Sequence, residues 1–310
     1  MAPSTTATAS STLSLEKILA SAQLPALPQS AIRLLEVSQD PKNGPEEFAL
    51  PIETDPGLTG QVLRFVNSSY FGFSREISSV RLALTLVGIR TIKNFALWSA
   101  VFSLMPNPKC GPFPLKCLWQ DSLRRALFAR SMSKLLGLQE AEEAFSAALL
   151  QDMAVPVLAK EKPQIYQQLL ATRQRDQVRL TLLEREAFGW THAQAGAMMA
   201  RNWNLPEQFA TLIEAHQELE QWLAGPTTQP AKTAVALSSL LPASADAAWN
   251  ECQDFDGAYQ RVTPAGSPGA GEILPQIDEQ YAEFAPMLKL GTPTKSLAEA
   301  YQEAQAATTG

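Results

Sequence analysis

The chain has 310 residues, with 25 Lys plus Arg against 31 Asp plus Glu, and 45% of its residues are hydrophobic. This length suits one large domain or two modest ones, and it is enough to bury a substantial core without disulfides or structural metals. No apolar run approaches the roughly 18 residues of a membrane span. The three cysteines contain no Cys-x-x-Cys pair, which argues against a disulfide framework or a thiolate zinc site.

The first segment has the composition of a leader rather than of a signal peptide. Residues 1–14 contain no charged side chain, so the basic stretch that opens a signal peptide is missing. We therefore expect a disordered leader rich in Ser, Thr and Ala on a cytoplasmic protein.

Helical patterns dominate residues 15–105. Asp55-Pro56 marks a helix start, because the carboxylate can cap the helix and proline suits its first position. Pro51 falls inside an otherwise helical pattern, where it predicts a kink or an early end. Gly88 suits a left-handed C-cap, and a strongly apolar helix follows from Ile89 to Met105.

The segment from Ser79 to Leu97 has the outline of a helix-turn-helix. Arg90, Lys93 and Asn94 are the side chains that could contact phosphates and base edges. A recognition helix needs a solvated face, however, and the second helix carries few polar positions. We therefore favour a buried helix over a DNA-reading one.

Charge is unevenly distributed along the chain. Residues 1–60 sum to −4, residues 61–130 to +8 and residues 131–310 to −10. A basic segment between acidic flanks could meet an anionic partner such as a nucleic acid, or it could pair with those flanks inside one fold. We favour the second interpretation, and the overall negative charge also disfavours nucleic acid as a partner.

Beyond a proline-rich linker at residues 106–116, helical patterns again dominate. We predict a loop at residues 253–275 and a last helix at 281–290. No alternating strand pattern occurs, so the sequence predicts an all-α protein. The other predicted helices lie near 117–136, 139–151, 163–174, 178–188, 191–203, 206–220 and 234–241.

Four basic side chains on one predicted helix form a candidate anion patch. A charged helix face is more often simply solvated, and we favour that alternative. The four residues are Arg124, Arg125, Arg130 and Lys134.

Four widely separated polar segments of the second half could converge in a bundle core, where metal sites are often built. Carboxylate and imidazole suit iron, manganese or zinc. The neighbour of Asp152 is Gln151, however, and a neutral amide is a poor substitute for imidazole. His192 and His216 are the only histidines, which excludes a three-histidine zinc site.

Several blocks resemble the HDOD family, a bacterial signalling branch of the HD metal-dependent phosphohydrolase superfamily. The likeness covers about residues 15–220, and residues 221–310 match only loosely. The matching blocks are Leu24 to Pro28, Ile52 to Pro56, Leu63 to Gly72, Ser79 to Arg90, Leu118-Trp119, Ala147 to Asp152, Phe188 to Gly196, Trp203 to Pro206 and Glu214 to His216.

This resemblance implies two helical lobes, the second similar to the HD phosphohydrolase core, with a degenerate metal motif. HD enzymes carry His-Asp where this chain has Gln151-Asp152, and their late aspartate has no match around residues 234–241. A buried polar role for the remaining residues is the favoured alternative to metal binding. The candidate residual metal site or polar pocket consists of Asp152, His192, His216, Gln120, Asp121 and Gln151.

We therefore expect a non-catalytic regulatory or scaffolding protein of bacterial signal transduction, with no cofactor. Its expected partners are proteins of a signalling pathway or a cyclic dinucleotide. We do not expect it to bind a membrane. The alternatives are a residual phosphohydrolase or phosphodiesterase with a weakly bound divalent metal, and nucleic-acid binding through residues 61–130. The expected units are a leader (1–14), an N-terminal lobe (15–105), a linker (106–116), an HD-like lobe (117–220) and a C-terminal extension (221–310).

Overall fold

The computed structural model describes residues 14–22, 24–108, 115–138, 141–223, 229–288 and 290–309. Every regular element within these ranges is a helix, and none of these residues lies in a strand, so the predicted all-α class is confirmed. No helix in the same ranges is both long enough and apolar enough to cross a membrane. Most of the expected leader and the middle of the expected linker, residues 109–114, lie outside the described residues.

Within the described residues, the N-terminal half consists of six α-helices, two of which begin at a side-chain cap. The Asp55 side chain accepts a hydrogen bond from the Leu58 N–H at 3.0 Å, and Ser79 caps the next long segment in the same way. Pro51 lies in the last turn of its helix. The helices are α1 (Leu15–Ser21), α2 (Gln29–Val37), α3 (Pro45–Glu53), α4 (Pro56–Val66), α5 (Val80–Val87) and α6 (Ile89–Leu104), with a 3₁₀ turn at Ser69–Phe71.

The second half is built around one long helix of 21 residues. The helices are α7 (Leu115–Leu135), α8 (Glu142–Leu150), α9 (Ala154–Glu161), α10 (Pro163–Asp176), α11 (Leu180–Phe188), α12 (His192–Asn202), α13 (Glu207–Ala215), α14 (Leu219–Leu223), α15 (Pro230–Ser238), α16 (Cys252–Val262), α17 (Ala270–Phe284) and α18 (Leu297–Thr309). Helix α7 contacts α8, α15 and α17. Within the described residues, Cys117 and Cys252 are free thiols.

The prediction of a loop at residues 253–275 was wrong. Helix α16 and the start of α17 lie there, and α16 buries Phe255, Tyr259 and Val262 along one face. Glycine, proline and aspartate are frequent in this stretch, which obscured the helical spacing of its apolar residues. The helix predicted at 281–290 is instead the end of α17 followed by a 3₁₀ turn at Ala285–Leu288.

Two groups of helices share one continuous core. Helices α2 to α5 pack against one another, whereas α7, α8, α12, α13 and α15 form the second group, and α6 contacts both. The C-terminal helices pack on the second group through α15 and α17. Asn94 on α6 is buried and Arg90 pairs with Glu143 at 3.2 Å, so the second helix of the predicted helix-turn-helix faces the protein interior.

A buried arginine on α7 contacts aromatic rings from three other elements. The Arg130 guanidinium on α7 lies 4.4 Å from the ring centre of Tyr70, 4.9 Å from that of Phe145 and 5.3 Å from that of Phe284. These rings belong to the 3₁₀ turn, α8 and α17. Because cations are attracted to aromatic faces, this contact fixes the N-terminal lobe against the second group of helices.

Candidate functional site

Three of the predicted site residues meet in the core of the second group of helices. Asp152 lies in the turn between α8 and α9, His192 opens α12, and His216 directly follows α13. One ligand atom from each lies within 4.8 Å of the others, and all three side chains are buried. The structure thus brings together three of the six candidate residues.

Local sequence chemistry places His192 at the start of its helix. Thr191 and Gln194 form a capping box, in which the Thr191 N–H donates to the Gln194 side chain at 2.9 Å. Gly196 lies one turn further on, where a Cβ atom would come within 3.0 Å of the Ile213 side chain. The absence of a side chain there lets α12 approach α13 closely, which sets the distance between the two histidines.

Both ring nitrogens of His192 face carboxylates. Its Nε2 lies 3.2 Å from Asp152 Oδ1, and its Nδ1 lies 2.7 Å from Glu184 Oε2. Glu184 also accepts the His192 main-chain N–H at 2.8 Å and the Tyr166 hydroxyl at 2.7 Å. Burial alone lowers the pKa of His192, but the carboxylates of Glu184 and Asp152 outweigh it and raise that pKa to about 10. His192 is therefore a buried imidazolium.

The second oxygen of Asp152 bonds to the Arg125 guanidinium from α7. Burial alone raises the pKa of Asp152, but Arg125 and the two imidazoles outweigh it and hold the pKa well below its ordinary value. Asp152 is therefore ionised and shared between Arg125 and His192.

His216 is a neutral member of the group. Its Nδ1 donates to the Ile213 carbonyl at 2.5 Å, which leaves Nε2 facing Asp152 Oδ1 at 3.8 Å. Burial lowers the pKa of His216 to about 3, and the positive charge of His192 acts in the same direction against the opposing effect of Asp152. The pair of histidines thus carries a single positive charge.

The other predicted site residues lie apart from this group or lack bonds within it. Gln120 donates to the Gly291 carbonyl at 2.8 Å, and Asp121 accepts the Ser244 N–H at 2.8 Å, so both bind the C-terminal segment. Burial raises the pKa of Asp121 to about 6 against the opposing effects of Arg125 and Ser244. Gln151 is fully buried, and its amide atoms have no hydrogen-bond partner in the part of the chain that the structure describes.

The four residues of the candidate anion patch point to different surroundings. Arg124 is buried and donates to the Lys295 carbonyl, whereas Lys134 is exposed near the end of α7. Arg125 bonds to Asp152, and Arg130 lies among the three aromatic rings. The structure does not bring these side chains together as one surface.

Glu184 and Tyr166 are parts of the site that the sequence did not reveal. Glu184 lies in the charged run Glu184-Arg185-Glu186, which is typical of a solvated helix face, yet Glu184 itself is fully buried. Its position one turn before Phe188 on the apolar side of α11 was the available signal.

A partly open cavity of about 100 Å³ lies over Asp152 and His192. Its polar lining includes three arginines, Arg125, Arg173 and Arg179, and residues 239–251 form one wall. The cavity connects the buried group to the surface.

Comparison with known proteins places the chain in a family. The model of the HDOD domain matches residues 24–219, so the chain belongs to the HDOD family and the resemblance is confirmed. A protein of Treponema pallidum (strain Nichols) without an assigned function is 23% identical over 197 residues. That match covers 63% of this chain, which spans only 38% of the relative's length.

Solved structures share the fold. An HDOD domain protein of unknown function from Geobacter sulfurreducens is 20% identical, with 96% of both chains covered and a TM-score of 0.59. A protein of Shewanella amazonensis SB2B, provisionally named a phosphohydrolase, is 20% identical, with 93% and 97% covered and a TM-score of 0.61. A protein of Marinobacter aquaeolei VT8, provisionally named a signal transduction protein, is 20% identical, with 89% and 63% covered and a TM-score of 0.60.

Proposed function

We propose that this HDOD protein is a non-catalytic regulator of bacterial signal transduction, which acts by binding a protein or a signal nucleotide rather than by hydrolysing a substrate. The observation that carries the proposal is the ion pair between Arg125 and Asp152, next to a histidine held between two carboxylates. Membership of a family associated with signalling supports the regulatory role.

The donor set does not fit the divalent metal of HD phosphohydrolases. A metal ion needs deprotonated ligands, whereas the carboxylates that face both ring nitrogens of His192 favour its protonated form. Asp152 is the one carboxylate of the three-residue group, and a guanidinium is bonded to its second oxygen. A divalent cation on Asp152 would therefore be repelled by Arg125 and by protonated His192.

Elemental analysis tests the absence of a resident metal. We expect the purified protein, after incubation with manganese, iron or zinc and removal of excess, to hold much less than one ion per chain. The same analysis on a His192→Ala, His216→Ala variant gives the background. Near-stoichiometric metal that disappears in the double variant would contradict the proposal and favour the phosphohydrolase alternative.

An activity assay addresses catalysis separately from metal content. We expect no hydrolysis of phosphate monoesters or of cyclic dinucleotides with any of the three metals present. Asp176→Asn is the matched control, because Asp176 is exposed and is not a member of the buried group. Hydrolysis that survives in this control and is lost in Asp152→Asn would overturn the non-catalytic assignment.

A binding assay tests whether the protein has the partner or signal nucleotide that a regulatory role requires. We expect capture from a lysate of the source bacterium, or titration with cyclic dinucleotides, to give a specific complex. Recovery of no partner together with no nucleotide binding would contradict a regulatory role.

A further inference from the structure

The segment between α15 and α16, residues 241–251, forms a strap along one wall of the cavity. Leu241, Pro242, Ala243 and Trp249 of the strap line the cavity. The strap lies outside residues 24–219, the part of the chain that matches the HDOD domain. The closing wall therefore comes from the C-terminal extension of this chain.

Two carboxylates of the strap bind two arginines of the cavity. Arg173 donates to both oxygens of Asp246, at 2.7 and 2.8 Å. Arg179 donates through Nε to Glu251 at 2.5 Å and through Nη1 to Gln217 at 2.9 Å. The bidentate hydrogen bond from the Arg173 guanidinium to a carboxylate has the geometry with which arginine also binds a phosphate group.

We propose that Arg173 and Arg179 form an anion-binding cradle, that Asp246 and Glu251 occupy it as internal ligands, and that a phosphate group of a small molecule binds there by displacing them. This inference rests on the proposed function, because it names the chemical class of the signal that the regulator binds.

Charge favours this exchange. With the strap in place, the three cavity arginines face three carboxylates, those of Asp152, Asp246 and Glu251. Asp246 and Glu251 both belong to the strap, so its displacement removes two negative charges and leaves Arg173 and Arg179 for an incoming anion. Arg179 Nη2 and Arg125 Nε are buried donors without a hydrogen-bond partner in the described residues, so the cavity is short of acceptors rather than of donors.

Cavity size limits what binds inside. One water molecule needs about 10–15 Å³ of cavity volume, so the cavity of about 100 Å³ that exists with the strap in place already accommodates a group the size of phosphate, but not a whole nucleotide. A nucleoside attached to that phosphate would extend through the open side of the cavity. Ligands that share the phosphate group are therefore the class to compare.

The test is calorimetric titration of the full chain with three probes: inorganic phosphate, adenosine 5′-monophosphate and a cyclic dinucleotide. An Asp246→Asn, Glu251→Gln variant keeps the shape of the strap but removes its two charges. We expect it to bind at least one probe about tenfold or more tightly than the unmodified chain does, because the competing carboxylates are gone. The probe that binds identifies whether free phosphate or a nucleotide is the source of the anion.

Loss of the arginines must have the opposite effect. We expect Arg173→Met, Arg179→Met to weaken binding of the same probe by about tenfold or more. Arg175→Met is the matched control, because Arg175 lies on the same helix with 72% of its side chain exposed. Its affinity should equal that of the unmodified chain.

Hydrogen exchange gives a readout that does not depend on the arginine variants remaining folded. We expect the probe to accelerate exchange of the Ser244 N–H, which donates to Asp121 at 2.8 Å while the strap is docked. The proposal is overturned if no probe binds the Asp246→Asn, Glu251→Gln variant, or if bound probe leaves exchange at Ser244 unchanged. Phosphorus NMR of the same samples tests the proposed function separately, because release of phosphate from the monophosphate would contradict a non-catalytic role while leaving the cradle intact.

Discussion

Replacement of Glu184 by glutamine should shift the protonation of the buried histidine without changing its packing. The glutamine oxygen replaces Glu184 Oε2 next to the His192 main-chain N–H, and its amide N–H donates to the Tyr166 hydroxyl oxygen. The negative charge that lies 2.7 Å from His192 Nδ1 is removed. The pKa of His192 should therefore fall, and His192 should lose its proton at a lower pH. Asp152 still faces the other ring nitrogen at 3.2 Å, so the pKa should not fall below its ordinary value.

The expected fall in the pKa of His192 follows from the loss of one hydrogen bond to a charged group. A hydrogen bond to a charged group contributes about 1.5–3 kcal/mol, and about 1.4 kcal/mol corresponds to a tenfold change in proton affinity. Loss of the Glu184 charge should thus lower the titration midpoint of His192 by about one to two pH units. In the unmodified protein, the rise of that pKa from 6.5 to about 10 corresponds to about 5 kcal/mol of folding free energy.

The protonation of His192 makes the folded protein less stable as the pH rises. The native protein keeps the His192 proton between pH 6.5 and about 10, whereas the unfolded chain releases it near 6.5. The stabilisation is therefore complete below pH 6.5 and is lost as the pH rises toward 10. Between pH 7 and 9 the free energy of unfolding should fall by about 3 kcal/mol from this group, and by less in Glu184→Gln.

Imidazole NMR measures the protonation directly, since the chain has only two histidines. Urea unfolding at pH 7 and pH 9 measures the stability difference. Glu186→Gln is the matched control, because Glu186 is exposed on the same helix and its substitution should change neither quantity. Deprotonation of His192 near pH 6.5 in the unmodified chain, or an unchanged midpoint in Glu184→Gln, would refute this reasoning.

Substitutions at Asn67, Arg130 and Gly196 test contacts that hold the fold together. Asn67→Ala should lower the free energy of unfolding by about 2–3 kcal/mol, because the Asn67 amide bonds to both main-chain groups of Ile77, at 2.7 and 2.8 Å. Arg130→Ala should cost about 3 kcal/mol by emptying the space between three aromatic rings, and Arg130→Met should recover at least half of the loss. Gly196→Ala should cost about 1–3 kcal/mol through the 3.0 Å contact with Ile213 Cγ2, and Ile213→Leu, which has no branch at Cβ, should relieve part of it. Urea unfolding measures each change.

Each of these expectations has its own contradicting outcome. A loss below about 0.5 kcal/mol for Asn67→Ala would show that water replaces its bonds. Equal losses for the alanine and methionine variants of Arg130 would mean that its charge, and not its volume, holds the rings. Additive rather than compensating effects of Gly196→Ala and Ile213→Leu would mean that the two side chains do not compete for the same space.

Local signals in the sequence predicted most of the N-terminal half. Asp55-Pro56 and Ser79 start helices where their side chains cap the first turn, and the apolar segment after Gly88 is a largely buried helix. These signals act within a few residues, so they can be detected without knowledge of the fold. The same approach failed for Cys252–Val262, because frequent glycine and aspartate concealed an apolar face that is visible only as helical spacing.

The buried group depends on contacts between distant parts of the chain. The resemblance singled out Asp152, His192 and His216, but spacing alone could not show that Arg125 bonds to Asp152 rather than facing solvent. Glu184 has the sequence context of a surface residue and is fully buried. Pairings across 27 or 8 residues are decided by how the helices pack, which no local pattern encodes.

The strap contacts the C-terminal helix α18 as well as the arginines of the cavity. Trp249 of the strap packs against Tyr301 of α18, with ring centres 6.0 Å apart, and Lys295 at the start of that region bonds to the Ala247 carbonyl at 3.3 Å. The buried group itself is balanced, since Arg125 and His192 offset Asp152 and Glu184 while His216 is neutral. Under the proposal, an anion displaces Asp246 and Glu251 and leaves this balanced group unchanged. Because Trp249 of the strap is buried against Tyr301, α18 is the element through which a change in the strap would reach the protein surface.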